Sequence, residues 1–381
     1  MAIEGELTVR LDWDSRRVRR VTVRSTRPFA AARVLAGRTP RDAATTAPLL
    51  FSICARAQGA AAAAALDAAA EAAAPAGSAA RHELAVRLET IQEYLWRLLI
   101  DWPKAMDGAP AVAPVAVARQ HVATLLALPA TAARSERGDA AKALSALAAE
   151  HVYGTSPNAW LGLADAAALE AWAREGRTVP ARLSAALDAV APGLGRSDVA
   201  LMPEPDRTAL LDSVVPALRR EPAFGRAPDW AGSPVETGAL ARSRAHPLVA
   251  ALLQRDGNTV RTRMTARLVE LAELVAGLQD DATTARSQPW VLALPLAPGE
   301  GLGAVQTARG LLLHRARVAD GRVAGYEIVA PTEWNFHPRG ALVRGMEAVE
   351  APAEDVLVRW ARLAVQALDP CVACSVEIGH A

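Results

Sequence analysis

A chain of 381 residues is long enough for one large domain or two ordinary ones. Its 42 basic and 41 acidic residues leave a formal net charge of +1, which excludes an electrostatic preference for nucleic acid or an anionic membrane. The mean hydropathy of +0.11, and the charges that flank the alanine run at 60–65, predict no membrane span. Three cysteines cannot all pair and no basic-then-apolar segment begins the chain, so we expect a reduced, cytoplasmic protein.

The first predicted element is a β-hairpin. Apolar and polar side chains alternate over 6–12 and 19–25, on either side of a short polar turn. Three helices are then predicted, over 28–36, 47–73 and 82–100, each ended by proline or glycine.

The middle of the chain is alanine-rich and is predicted to be mostly helical, with segments near 115–127, 138–150, 164–174, 180–190, 207–219 and 247–279. A second hairpin is predicted over 311–318 and 323–329, around Asp320-Gly321. A last helix over 354–368 precedes the C-terminal cysteines. These elements predict an α+β, mainly helical fold, with a helical bundle and small β elements near both termini.

The pair Cys371-Val-Ala-Cys374 follows the last predicted helix. Taken alone, a CxxC pair is a weak signal, because two thiolates are only half of a usual zinc site. A redox pair and two small buried hydrophobic residues fit it equally well. A thioredoxin-like role is disfavoured because the pair ends the chain and opens no βαβ unit.

Five segments, in the same order, resemble the large subunits of nickel–iron hydrogenases. They are Ile3-Glu4-Gly5, the run Gly37-Arg-Thr-Pro-Arg-Asp-Ala43, Cys54 with the residues that follow it to Leu66, Thr307 to His314 together with Val329 to Asn335, and Asp369 to Cys374. The resemblance spans nearly the whole chain and is thin between 110 and 280.

The resemblance implies a single hydrogenase-large-subunit-like domain over 1–381. Its expected parts are an N-terminal hairpin with the Cys54 helix (1–75), a helical body (79–280), a β-rich loop region (285–349), and a C-terminal helix with the CxxC pair (350–381). The sequence assigns no role to the helical middle.

The departures from the family pattern concern nickel. In that family the first cysteine of each of two CxxC pairs is a terminal nickel ligand, and the second bridges nickel and iron. Here Phe51 stands at one terminal position, while Cys54, Cys371 and Cys374 match the other three cysteines. Phenylalanine offers no lone pair to a metal. The resemblance therefore implies iron held by Cys54 and Cys374, with Cys371 assisting, and no nickel.

Iron in that family also carries two cyanides and one carbonyl. The residues that match the pocket around these ligands are Arg309, Pro331 and Thr332, and a hydrogen bond to a cyanide nitrogen is a familiar kind of metal-site tuning. Considered alone, Arg309 would be interpreted as a surface arginine, but its context with Gly310 and His314 reverses that preference. Glu4 matches a proton-transferring glutamate, although a structural hydrogen bond fits it equally.

Two residues near the C-terminus also depart from the family pattern. Glu377 takes the position of a histidine, and His380 lies three residues later. The sequence assigns neither of them a role. A mobile terminal residue and a metal contact both remain open for His380.

The whole pattern is similar to that of the HupK/HoxV family of hydrogenase maturation proteins. That resemblance implies a non-catalytic scaffold for the Fe(CN)2CO fragment, with a HypC-type chaperone and HypD as donors and the hydrogenase large subunit as recipient. Two alternatives stay open, namely a degenerate large subunit with residual redox activity and a metal-free interaction module for maturation chaperones. The sequence does not settle oligomeric state, the order of partners, or whether iron arrives with its diatomic ligands.

The scaffold hypothesis makes a geometric prediction. Cys54 and Cys374 should approach each other, because two thiolates bind one iron only when their sulfurs lie within about 4 Å. The helix after Cys54 should then pack beside the helix before Asp369, and Arg309 and Thr332 should open onto one cavity.

Overall fold

The computed structural model describes residues 5–27, 29–51, 53–71, 77–128, 134–190, 193–278 and 289–380. Within them, strands β1–β9 run over Glu6–Trp13, Val18–Ser25, Ala200–Leu201, Val235–Glu236, Val291–Ala297, Glu300–Thr307, Gly310–Ala319, Arg322–Val329 and Ala373–His380. Helices α1–α17 run over Pro40–Thr46, Ala55–Ala69, Ser78–Trp96, Trp102–Ala105, Val112–Ala127, Arg134–Ala148, Pro157–Trp160, Ala166–Glu175, Val179–Val190, Arg207–Ser213, Val215–Arg220, Ala239–Ser243, Pro247–Asp256, Val260–Gly277, Pro331–Asn335, Ala341–Met346 and Glu354–Leu368.

The first sheet joins the two ends of the chain. Its strand order is β2-β1-β9, with β1 antiparallel to β2 and parallel to β9. The parallel register begins with Glu6 opposite Ala373 and ends with Trp13 opposite His380. The predicted N-terminal hairpin is thus confirmed, whereas strand β9 was not predicted. The hairpin closes through a local turn, but β9 finds its partner across almost the whole sequence.

The second sheet is a four-stranded antiparallel meander in the order β5-β6-β7-β8. It contains the predicted hairpin β7–β8 and two further strands that were not predicted. Helix α2 lies against it at Gly301 and Gly303 of β6. A Cβ atom at Gly303 would lie 2.1 Å from the carbonyl oxygen of Ala61, so the close approach of helix and sheet requires glycine.

The helical body surrounds α14, whose residues are almost all buried. The prediction of one helix over 247–279 was wrong, because Gly257 ends α13 and Thr259 starts α14 by accepting from the N–H of Thr262. The helix predicted over 47–73 begins only at Ala55, after a 3-10 turn that contains Pro48. The fold class is confirmed as α+β and mainly helical, with β elements near both termini.

The expectation that α2 packs beside α17 was wrong for the described residues. Helix α2 packs mainly on the second sheet and on α3, while α17 packs on α14, α16, α4 and β9. The two helices that carry the predicted site therefore have different main packing neighbours. Within the described part of the chain, no helix is both long and apolar enough to cross a membrane.

Candidate functional site

Cys54 sits at the N-cap position of α2, and its side chain makes no capping hydrogen bond. The first free N–H groups of the helix are bound instead by Glu89 of α3, which accepts from Arg56 at 2.9 Å and from Ala57 at 3.0 Å. Burial raises the pKa of Glu89 to about 7, even though these two hydrogen bonds favour its charged form. Helix α3 therefore fixes the position at which Cys54 enters the site.

Cys371 follows the last turn of α17, where Asp369 adopts a left-handed conformation with φ of 55°. The hydroxyl of Thr332 donates to Cys371 Sγ at 2.9 Å and accepts from the Cys371 backbone N–H at 3.1 Å. Arg27 Nη2 donates to the same sulfur at 2.6 Å. A hydroxyl and a guanidinium group thus hold the thiol from two sides.

Cys54 and Cys371 are both buried, and both raise the pKa of the guanidinium groups of Arg27 and Arg309. Burial, together with the neighbouring Cys371 and Glu89, raises the pKa of Cys54 to about 12 against the opposing effect of Arg309. The structure thus brings one thiol from each CxxC-like position into the same environment.

Cys374 has different surroundings. It is partly exposed on β9, where it pairs with Leu7 of β1. Burial raises its pKa to about 12, and Glu6 contributes in the same direction. The predicted approach of Cys54 to Cys374 therefore stays a prediction, whereas Cys54 and Cys371 share Arg27 and Arg309 as charged neighbours.

Phe51, at the position of the absent cysteine, is buried under Arg27. The Arg27 guanidinium lies over the Phe51 ring at 5.8 Å from its centroid, and Arg27 Nε is 3.8 Å from Glu333 Oε1. The side chains of Arg27 and Glu333 are 8% and 5% exposed. The buried cation of Arg27 therefore contacts both Cys371 and Phe51, the aromatic residue that stands at the position of a family cysteine.

Arg309 is 3% exposed, so it is buried, unlike the surface arginine that its residue type alone would indicate. Its guanidinium donates to Glu93 at 2.6 Å and lies 3.5 Å from Asp369. Burial opposes the charged form of Asp369, but Arg309, Arg97 and Arg267 outweigh burial and hold the Asp369 pKa below its usual range. This buried charge cluster anchors the turn that precedes Cys371.

The remaining predicted residues are placed as follows. Pro331 and Thr332 are both buried in the first turn of α15. The cavity beside Arg309 measures about 10 Å³ and is lined by Asn335 rather than Thr332, so a cavity shared by Arg309 and Thr332 stays a prediction. Glu4 lies outside the described residues. No group of three or more histidine, cysteine, aspartate or glutamate side chains in the described ranges is arranged to hold a metal ion.

Comparisons with known proteins identify the family of this chain. Residues 253–377 match the family model described as nickel-dependent hydrogenase. The hydrogenase expression/formation protein HoxV of Cupriavidus necator is 34% identical over 367 residues, covering 93% of this chain and 92% of that protein. This chain belongs to the HupK/HoxV family. HupK of Azotobacter vinelandii is 33% identical over 379 residues, and the alignment covers 99% of this chain and 99% of that protein.

The HupK/HoxV chain also shares the hydrogenase fold. A [NiFeSe] hydrogenase chain of Desulfovibrio vulgaris Hildenborough superposes with a TM-score of 0.64 at 17% identity, with 93% of each chain covered. At that identity the likeness concerns the fold alone. The family membership and large-subunit-like fold that the five segments predicted are both confirmed.

A polar chain that the sequence did not predict supports Cys54 in this HupK/HoxV protein. Burial lowers the pKa of His314 to about 3, so its ring is neutral and has one donor and one acceptor nitrogen. Gln58 Nε2 donates to Cys54 Sγ at 3.5 Å, while its Oε1 lies 2.8 Å from His314 Nε2. His314 Nδ1 then accepts from the Tyr326 hydroxyl at 2.7 Å. Gln58 and His314 both lie within the matched segments, but the sequence did not predict that they are in contact.

Arg27 is the main residue that sequence reasoning missed. It lies just after β2, outside the five matched segments, and nothing in its local sequence indicates a contact with a cysteine near the other end of the chain. Gly5, within a matched segment, gives an indirect signal. It has φ of 76°, and a Cβ there would lie 2.6 Å from Arg27 Cα.

Proposed function

We propose that this HupK/HoxV chain is a non-catalytic scaffold for the Fe(CN)2CO fragment during maturation of the nickel–iron hydrogenase large subunit. One observation carries the proposal. The buried thiols of Cys54 and Cys371 have the same two buried cations, Arg27 and Arg309, as neighbours, with Phe51 at the position of the fourth thiol. The names of the relatives, hydrogenase expression/formation proteins, support the broader role.

Cysteine thiolates are the proposed protein ligands of the cargo iron. Cys54 and Cys374 bind it, and Cys371 assists. An iron that already carries three diatomic ligands needs fewer protein ligands than a bare ion, which suits a chain without a larger ligand cluster in its described part. Phe51 cannot supply the soft donor that nickel requires, so iron without nickel is the expected content.

Buried donors are the proposed partners of the cyanides. The Nε–H groups of Arg27 and Arg309 are both buried without a hydrogen-bond acceptor in the described protein. Such unpaired donors are uncommon in folded proteins, and a cyanide nitrogen would satisfy them. Thr332 and Pro331 complete the proposed pocket, and Glu4 remains a predicted contributor.

The proposed partners follow from the same role. A HypC-type chaperone and HypD would supply the fragment in the cytoplasm, and the hydrogenase large subunit would receive it. The near-neutral net charge fits protein partners better than nucleic acid or a membrane surface.

An infrared spectrum of the protein, isolated anaerobically from cells with the maturation machinery, tests the proposal. Cyanide and carbonyl bands together with bound iron are expected in the wild type. Cys54→Ala and Cys374→Ala should lose both, whereas Cys371→Ala should retain part. Ser375→Ala, next to Cys374 on β9, is the matched control and should retain both.

Maturation of the partner hydrogenase, measured in cells that carry each variant, separates the alternatives. A metal-free interaction module would support normal maturation in every cysteine variant. A degenerate large subunit would consume hydrogen when loaded with metal. Normal maturation in the Cys54→Ala strain would end the scaffold hypothesis.

A further inference from the structure

A pocket of about 360 Å³ opens between the end of β2 and helix α15. Ser25, Arg27, Arg226, Glu333, Phe336 and Pro338 contribute to its lining. Its volume lies within the range of about 300–1,000 Å³ that is typical of small-molecule sites. The cavity beside Arg309, at about 10 Å³, has room for about one water at most. Of these two spaces, which Arg27 and Arg309 respectively line, only the first admits a metal fragment.

Arg27 separates this pocket from the thiols. Its side chain lines the pocket and also donates to Cys371 Sγ at 2.6 Å. Phe51 supports the guanidinium from one face, and Glu333 lies 3.8 Å from its Nε. A ligand that enters the pocket therefore meets Arg27 before it meets the Cys371 sulfur.

We propose that this pocket is the port through which an anionic metal fragment reaches Cys371, and that Arg27 is the residue that closes it. The inference rests on the proposed function, which supplies the iron fragment as the cargo. Arg27 and Arg226 oppose the single acid Glu333 in the lining, so the port attracts an anion. The buried Nε–H of Arg27 has no acceptor in the described protein, so an entering cyanide gains a partner when Arg27 leaves the thiol.

Alkylation of Cys371 in the metal-free full-length chain measures how open the port is. Arg27→Leu should raise the rate constant of the Cys371 thiolate with iodoacetamide, taken from the dependence of the rate on pH and mapped by peptide mass, by about tenfold, because a hydrogen bond to a charged group contributes roughly one to two powers of ten. Arg24→Leu is the control, because it removes an equal charge from an exposed position of β2 that does not line the pocket. Equal rates in the Arg27→Leu and wild-type chains would overturn the closing role.

The rim of the pocket offers a variant that leaves Arg27 in place. Pro338 is exposed, so Pro338→Trp should narrow the port and slow alkylation of Cys371, while Pro338→Ala should not. Unchanged alkylation in Pro338→Trp would show that the thiol is reached by another path, which overturns the port.

The charge of the ligand is tested with a matched pair of reagents. Arg226→Leu should lower the rate with anionic iodoacetate relative to neutral iodoacetamide by about threefold or more, in the low range of electrostatic steering. An unchanged ratio overturns the preference for an anion.

Iron retention keeps this inference distinguishable from the proposed function. If the wild type binds no iron fragment, the proposed function fails. The iron fragment is then no longer the cargo of the port, whichever alkylation rates are measured. If it binds iron and Pro338→Trp acquires it equally fast, only the port fails.

Discussion

The hydroxyl oxygen of Thr332 bonds Cys371 twice, as a donor to the sulfur at 2.9 Å and as an acceptor from the backbone N–H at 3.1 Å. The first turn of α15 therefore fixes both the backbone and the thiol of Cys371. The next residue of that turn, Glu333, is the acid beside Arg27. One short helix thus sets the distance between the thiol and the cation that contacts it.

Replacement of Thr332 by valine removes both bonds while it keeps the shape of the side chain. We expect Thr332→Val to lower the free energy of unfolding by about 1–3 kcal/mol, because a buried N–H is left without an acceptor. Urea unfolding measures the change, and Thr332→Ser, which keeps the hydroxyl, should lose much less. Equal losses in both variants would show that the methyl group contributes as much as the two hydrogen bonds, which would contradict this expectation.

Restoring the fourth thiol should change the metal content. In Phe51→Cys a third soft donor joins Cys54 and Cys371 at the buried end of the site, so we expect nickel to co-purify where the wild type carries iron alone. Metal analysis after anaerobic purification gives the ratio of nickel to iron. Phe51→Leu is the control for loss of the aromatic ring and should acquire no nickel. Stoichiometric nickel in the wild type would contradict the assignment of Phe51.

His314 should make stability depend on pH. Its pKa is about 3 in the folded chain and near its ordinary value of 6.5 when unfolded, so between these values the unfolded state binds more protons. Stability from this group is therefore complete above pH 6.5 and falls as the pH drops toward 3, by on the order of 5 kcal/mol at most.

The variant His314→Gln isolates that contribution. Urea unfolding from pH 7 to pH 4 should show a smaller loss of stability in the variant than in the wild type. Buried Glu89 and Glu333 titrate with the opposite sign near pH 7, but they are present in both proteins and cancel in the difference. Parallel pH profiles would contradict a buried neutral imidazole.

The contact between α2 and the second sheet predicts a strong effect at a glycine. Gly303→Ala should destabilise the fold by about 1–3 kcal/mol or more, because the new methyl group would meet the carbonyl oxygen of Ala61. Gly138→Ala in α6 is the same chemical change in open space and should stabilise by about 0.4–1 kcal/mol. Thermal unfolding compares the two, and similar midpoints would argue against tight packing of α2.

Local patterns in the sequence predicted the local structure. Both hairpins were predicted because strand alternation and turn residues such as Asp320 and Gly321 lie within a few residues of one another. The strands β5, β6 and β9 were missed, because β6 is buried along its whole length and shows no alternation, and β9 pairs with β1 from the far end of the chain.

The same limit applies to the candidate site. Matched motifs identified Cys54, Cys371 and Thr332, because each lies within a short recognisable segment. The contacts of Arg27 with Cys371 and of Gln58 with His314 join residues that are distant in sequence, and side-chain type alone does not specify such partners. The motifs therefore predicted which residues belong to the site, while the fold determined which of these residues are in contact.

The parallel pairing of β1 with β9 has a consequence for biosynthesis. Strand β1 is synthesised long before its neighbour β9, which exists only once translation has reached Ala373–His380. Until then one edge of β1 has no strand beside it, and such edges are prone to pair with other chains. Cys54 is likewise synthesised long before Cys371. The thiol site therefore cannot assemble before translation has passed Cys371, and a shorter nascent chain would be a poor acceptor for any cargo.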